Sequence, residues 1–286
     1  MRPVLIRIFA FCLLGTVLFA TAGYLGNLIS PVYGDPDLSW LSTERPEVGP
    51  SVVAVGNSHT VALDFEQLGM TGRDLGMNGA DVMEAAVVAH YVAAGPGAKA
   101  ILMPIFEDGL FFDNAGRSTR SRLSTYELMF RHGDWRVLGD DHFGWIRWTL
   151  GFIRRPDRWS AVVRQLFCEA PCDTPRQNRE RWQPADPLGG KFVADKADRI
   201  YSLIEPRIGQ REHLTTVLAE LERAARVATA RGISLVLFAS PVATALQQRL
   251  DEILLRNGRS TNLARTMFRD WLRTARERGL CITYIE

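Results

Sequence analysis

The stretch SVVAVGNSHT, residues 51–60, carries the reading of the fold. Ser51 to Gly56 is a short apolar run rich in β-branched residues that stops at a glycine, which reads as a buried strand. Three further runs share its character: Lys99 to Phe106 (KAILMPIF), Ile233 to Ala239 (ISLVLFA) and Cys281 to Ile285 (CITYI), with Arg73 to Met77 as a shorter candidate. Between them the apolar residues recur at helical spacing. Thr60–Leu68, Asp81–Ala94, His213–Arg231, Val242–Leu255 and Asn262–Arg278 all read as helices, the third with Leu214, Val217, Leu218, Leu221, Ala224 and Ala225 on one face. Strands that are apolar throughout and alternate with helices imply a parallel sheet covered on both faces. The right-handed crossover rule then leads to a flavodoxin-like, three-layer α/β/α sandwich.

Working outward, residues 32–50 (VYGDPDLSWLSTERPEVGP) carry three prolines and two glycines and read as a linker. Before it, residues 1–31 hold Arg2 and Arg7 as their only charged side chains. The apolar stretch from Ile8 to about Gly26 has the roughly 20 residues that a helix needs to cross a bilayer. Basic residues precede it and Asp35, Asp37, Glu44 and Glu47 follow, which predicts a cytoplasmic amino terminus and an exported remainder. Ala20-Thr21-Ala22 resembles a signal-peptide cleavage site, whereas the length of the uncharged stretch favours an uncleaved, single-span anchor. A buried helix of a soluble protein is the third reading. The predicted exported domain is residues 51–286, and export suits a local bridge between Cys168 and Cys172 in FCEAPCD. Cys12 falls in the apolar span, and Cys281 is expected in the core.

Residues 110–205 interrupt the alternation and read as a helical insertion. They hold five of the seven tryptophans (Trp135, Trp145, Trp148, Trp159, Trp182) and many arginines. Two roles suit them: a subdomain with a tryptophan core and a solvated arginine face, or a lid that stacks sugar rings and pairs with carboxylates or phosphates.

Composition removes several function classes. Of the 286 residues, 47% are hydrophobic and 23% charged, which excludes wholesale disorder. A formal net charge of +2 argues against a dedicated nucleic-acid binder. Neither a P-loop nor a dinucleotide-binding glycine pattern occurs, and no cofactor is implied. Asp140, Asp141 and His142 converge with no second histidine, so no metal site is assigned.

The chemistry centres on Ser58, in the turn where the first strand gives way to a helix. Ligands of open α/β sheets bind at the carboxyl ends of strands. Backbone N–H groups at a helix start can receive a developing oxyanion. The competing role for Asn57 or Ser58 is a helix cap. Ser240-Pro241 follows another strand at the same edge and reads first as a helix start.

The run VVAVGNSHT resembles the first block of the SGNH (GDSL-like) hydrolase superfamily, and DLGMNGA, Asp74 to Ala80, resembles the second. The histidine after the serine is similar to the envelope branch of that superfamily, which holds polysaccharide O-acyltransferases and esterases and relatives of the D-alanyl-transfer protein. The resemblance covers roughly residues 51–110 and 211–286. It implies Ser58 as nucleophile and an oxyanion hole from the Ser58 N–H and Gly79, with Gly76 as second candidate. The family's Gly-x-Asn-Asp block is not met after the third strand, where Asn114 in FFDN is a loose substitute. The family's Asp-x-x-His is also missing: His59, His90, His132, His142 and His213 each lack an aspartate three residues before them. His142 is the candidate base from the insertion, and His213 reads as surface or cap. An unactivated serine is a poor nucleophile. The base therefore comes from elsewhere in the chain or from sequence past Glu286, or the protein is a non-catalytic relative. The expected partners are the membrane, an envelope or exported polysaccharide and a membrane-bound acyltransferase. A non-enzymatic envelope protein that binds polysaccharide or an assembly partner is the alternative.

Overall fold

The computed structural model describes residues 2–29, 51–57, 60, 63, 65–67, 69–77, 79–114, 119–136, 146, 190–239 and 244–285. Ser58, His59, His142, Ser240 and the Cys168/Cys172 pair lie outside them, as do Trp145, Trp148, Trp159 and Trp182. The chain divides into two compact units, residues 1–43 with 115–178, and residues 44–114 with 179–286.

The second unit holds an α/β fold with five parallel strands in the order β2-β1-β3-β4-β5. They are β1 (Val52–Ala54), β2 (Gly72–Asp74), β3 (Ala100–Ile105), β4 (Ser234–Ala239) and β5 (Ile282–Ile285). β1, β3, β4 and β5 each lie within one of the apolar runs, whereas β2 overlaps the shorter candidate, 73–77, only at Arg73 and Asp74 and begins one residue earlier. Chain order reverses at β1, which has β2 on one side and β3 on the other.

Three helices line one face: α2 (Val82–Ala94), α5 (Arg211–Ala230) and α7 (Asn262–Glu277). α5 packs beside α2 and α7, and the three touch β4, β3 and β5 respectively. The row Val53, Ile101, Leu235 and Ile282 runs across the sheet in register and is buried throughout. At the far end Phe268 of α7 is 0% exposed, stacked on Trp271 at 5.9 Å and edge-on to Tyr284 of β5 at 5.4 Å.

On the opposite face the described residues give partial cover. Over β1 and β3 the described cover is Leu63 and Phe65, against Val52, Ala54, Ala100 and Leu102. Farther along, Ser234, Thr283 and Ile285 are exposed, and Val236 and Phe238 are half-buried. The described residues of the expected helix at 60–68 lie in turns and irregular backbone instead. Three-residue hydrogen bonds close there, such as Leu63 N–H to Thr60 O at 2.9 Å.

Two more helices, α4 (Gly190–Ile204) and α6 (Thr244–Arg256), pack on each other. Cys281 is exposed rather than in the core, because it precedes β5 in a turn where its N–H bonds Thr229 Oγ1 at 2.9 Å.

The first unit contains α1 (Arg2–Ile29) and α3 (Arg120–Arg131), which touch. Ile6–Leu25 of α1 has a mean hydropathy of 2.0 and is long and apolar enough to cross a membrane. In α3, Thr119 caps the helix by accepting the Arg122 N–H at 3.2 Å. Trp135 is half exposed and lies against Phe130, with ring centroids 5.3 Å apart.

Replacing a fully buried aromatic ring leaves a cavity as well as losing transfer free energy. Phe268→Ala is therefore expected to cost about 3–5 kcal/mol, read as a lower urea midpoint. A loss below 1 kcal/mol would mean that α7 does not seal this end of the sheet.

Candidate functional site at the carboxyl edge of the sheet

The turn after β1 is seated on the turn after β2. Leu75 N–H donates to Ala54 O and Met77 N–H to Gly56 O, each at 2.8 Å, which extends the pairing beyond the strands. Glycine is required at two places for steric reasons. A Cβ on Gly56, whose φ is +146°, would lie 2.7 Å from Pro104 Cδ. One on Gly76 would lie 1.9 Å from Thr60 Oγ1 and 3.0 Å from the Asn57 carbonyl oxygen. Thr60, fully buried, donates its hydroxyl and its N–H to that same Asn57 oxygen, at 2.9 and 3.1 Å. Asp74 at the end of β2 accepts the Gly76 N–H at 2.7 Å. The backbone at Gly56, Asn57 and Thr60 is thus held between β1, β2 and β3.

Residues 77–80 form a second tight turn, closed by Ala80 N–H to Met77 O at 3.0 Å. Gly79 is its third residue and is exposed, with φ +76°. That left-handed value is what glycine supplies without strain. α2 begins immediately afterwards with a reciprocal capping box. Asp81 Oδ1 accepts the Glu84 N–H at 2.8 Å and Glu84 Oε2 accepts the Asp81 N–H at 2.9 Å.

Asn114 joins this turn from the segment after β3. Its Nδ2 donates to Gly79 O at 2.9 Å and to Glu84 Oε2 at 3.0 Å, and its N–H donates to Asp81 Oδ2 at 2.8 Å. Asp81, Glu84 and Asn114 are all buried. Buried carboxylates are costly unless their oxygens are hydrogen-bonded, and these bonds engage both Asp81 oxygens and Oε2 of Glu84.

Asp113 reaches the other way, to Arg207, whose Nε donates to Asp113 Oδ2 at 2.8 Å. His213, in the first turn of α5, donates Nε2–H to the Leu110 carbonyl at 3.0 Å and holds Nδ1 4.0 Å from Asp113 Oδ2. A helix that leads into a parallel strand starts at the carboxyl edge, which brings His213 to the same edge as Gly79. Its side chain is only 11% exposed, so it is neither a surface residue nor a cap. Burial lowers its pKa, outweighing the attraction of Asp113.

Of the four residues expected at the site, Gly79 and Asn114 come together, while Ser58 and His142 lie outside the described residues. The other described histidines lie elsewhere: His90 is on α2, edge-on to the Tyr91 ring, and His132 is exposed at the end of α3. Sequence reasoning missed Asp81, Glu84, Asp113, Arg207 and His213. The Asp-x-x-Glu spacing of the first pair was the available signal. Comparison of the chain with protein-family models, with characterised proteins and with solved structures finds no match.

Two predictions follow from this packing. Gly76→Ala should lower stability by about 1–3 kcal/mol or more through overpacking, whereas Gly79→Ala meets no atom within 4 Å and carries only the left-handed backbone cost, about 1–2 kcal/mol. Urea unfolding of the two variants side by side checks the order, and equal losses would contradict the tight seat at Gly76. For His213, the unfolded chain binds the proton more readily than the folded one. Stability should therefore fall as pH drops below the ordinary histidine value of 6.5. His213→Gln should flatten the loss of Tm between pH 7.5 and 5.5, and an unchanged slope would assign the effect to other groups.

Proposed function

We propose that the chain is a membrane-anchored, periplasm-facing protein of SGNH type, with a flavodoxin-like three-layer α/β/α domain, that transfers or hydrolyses acyl esters on a cell-envelope or exported polysaccharide. The observation that carries this reading is the seating of the Gly56–Asn57 turn on the Gly76–Ala80 turn at the reversal point of the sheet. That is where a parallel sheet offers its ligand crevice. Ser58 follows Asn57 directly in the sequence.

In the proposed reaction Ser58 Oγ attacks the acyl carbon as its proton passes to a base. The carbonyl oxygen becomes an oxyanion, held by the Ser58 N–H and Gly79. Collapse breaks the ester C–O bond, and the leaving alkoxide takes a proton from the conjugate acid of the base. The acyl-serine then yields its acyl group to a sugar hydroxyl or to water. His142 remains the candidate base from the sequence. A membrane-bound acyltransferase is the proposed donor partner, and α1 the proposed anchor.

A second reading, a non-catalytic envelope protein that binds polysaccharide or an assembly partner, draws support from His213. It is the described histidine at this edge, and its Nε2 is engaged with Leu110 O.

A fluorophosphonate serine probe decides between the two. The acyl-transfer reading expects labelling of the purified full chain that disappears in Ser58→Ala. A wild-type chain that stays unlabelled while folded would overturn it in favour of the binding protein.

A further inference from the structure

We propose that Asn114 is a positioning residue of this site: its side-chain amide anchors the Gly79 carbonyl, and the residue itself donates nothing to the oxyanion. The proposal rests on the acyl-transfer reading above and reassigns the role that the family resemblance implies for an asparagine at this place.

The hydrogen bonds determine the role. A carboxamide nitrogen has two protons to donate. In Asn114 they go to Gly79 O at 2.9 Å and Glu84 Oε2 at 3.0 Å. The orientation of the amide follows from its surroundings, because turning it over would face its oxygen against two acceptors. With the residue 1% exposed, neither proton can be exchanged for a water without opening the network. Asn114 could therefore donate to an oxyanion only by releasing Gly79 or a buried carboxylate.

What the amide holds is one end of the turn that contains Gly79. The other end is held by Met77 N–H on Gly56 O at 2.8 Å, and the turn closes on itself through Ala80 N–H to Met77 O. The Gly79 N–H, which the proposed reaction assigns to the oxyanion, falls between these two ties in the chain. Asn114 is in turn held by its own N–H on Asp81 Oδ2, while its neighbour Asp113 is tied to Arg207. The Glu84 carboxylate, 0% exposed, joins the cap of α2 to the amide. Positioning of this kind matters because a displacement of about 1 Å at a catalytic donor can cost about a hundredfold in rate.

The test uses the purified full chain in detergent, with p-nitrophenyl acetate as substrate and the fluorophosphonate as active-site titrant. Asn114→Ala should lower kcat about 10- to 100-fold with KM changed less than about twofold. Gly79→Ala, which meets no clash, supplies a second variant should Asn114→Ala fail to fold, and it should show the same split. The double variant should be no slower than the slower single one, since both act through one turn. Glu84→Gln, which keeps an accepting oxygen, should lose less activity than Glu84→Ala. A folded Asn114→Ala chain that reacts at the wild-type rate, a change confined to KM, or additive losses in the double variant would overturn the positioning role alone. A folded wild-type chain that neither labels nor hydrolyses the ester would overturn the acyl-transfer reading itself, and the role with it.

Discussion

The geometry of the carboxyl edge depends on how closely two backbones approach. The turn after β1 and the turn after β2 meet with Gly56 and Gly76 at the contacts, where a single Cβ would strike Pro104 or Thr60. That approach allows the main-chain bonding of the sheet to continue past the last strand residues, through Leu75 and Met77. Regular secondary structure ends there, yet the backbone groups remain paired, as buried backbone must. A loop so paired has little freedom at Gly56, Asn57 and Thr60.

Around this contact the polar groups are arranged as a chain of ties. Asp81 and Glu84 cap α2, Asn114 joins that cap to the Gly79 turn, and Asp113 joins the same segment to Arg207. Networks of this kind contribute little net stability, since every buried carboxylate pays desolvation. Their effect is to specify one arrangement, because a half-satisfied version would be worse than none. The lowered pKa of His213 has the same origin, a polar side chain taken out of water to hold a loop to a helix.

Much of the sheet could be read directly from the residues. Runs such as ISLVLFA and KAILMPIF are apolar but for Ser234 and the leading Lys99, and the pattern that buries Val53, Ile101 and Leu235 in one row is written locally. What escaped reading is non-local. Asn114 sits in an unremarkable FFDN, and its significance lies in partners some thirty residues earlier in the chain. His213 opens an amphipathic helix and looked superficial, because nothing local announces the Leu110 carbonyl above it. Cys281 heads an apolar run, but the strand begins one residue later and leaves it in the turn. Residues 60–68 read as a helix, yet those described lie in turns and irregular backbone, where tertiary packing of Leu63 and Phe65 on Val52 and Ala54 outweighs a weak local preference.

The pairing of β3 with β4 has a consequence for assembly. These strands are hydrogen-bonded neighbours in the middle of the sheet, yet the chain between them runs from 106 to 233 and passes through the other compact unit. Loop-closure entropy rises only with the logarithm of length, about 0.6 kcal/mol per doubling, so so long an excursion is thermodynamically cheap. Its effect falls on time instead, because contacts between distant segments slow folding. β1, β2 and β3 and the turns of the candidate site all lie on the amino-terminal side of that excursion, and β4 and β5 on the other. The sheet is therefore a join between two stretches of chain that leave the ribosome far apart, and its central seam is the contact that ties the halves of the domain together.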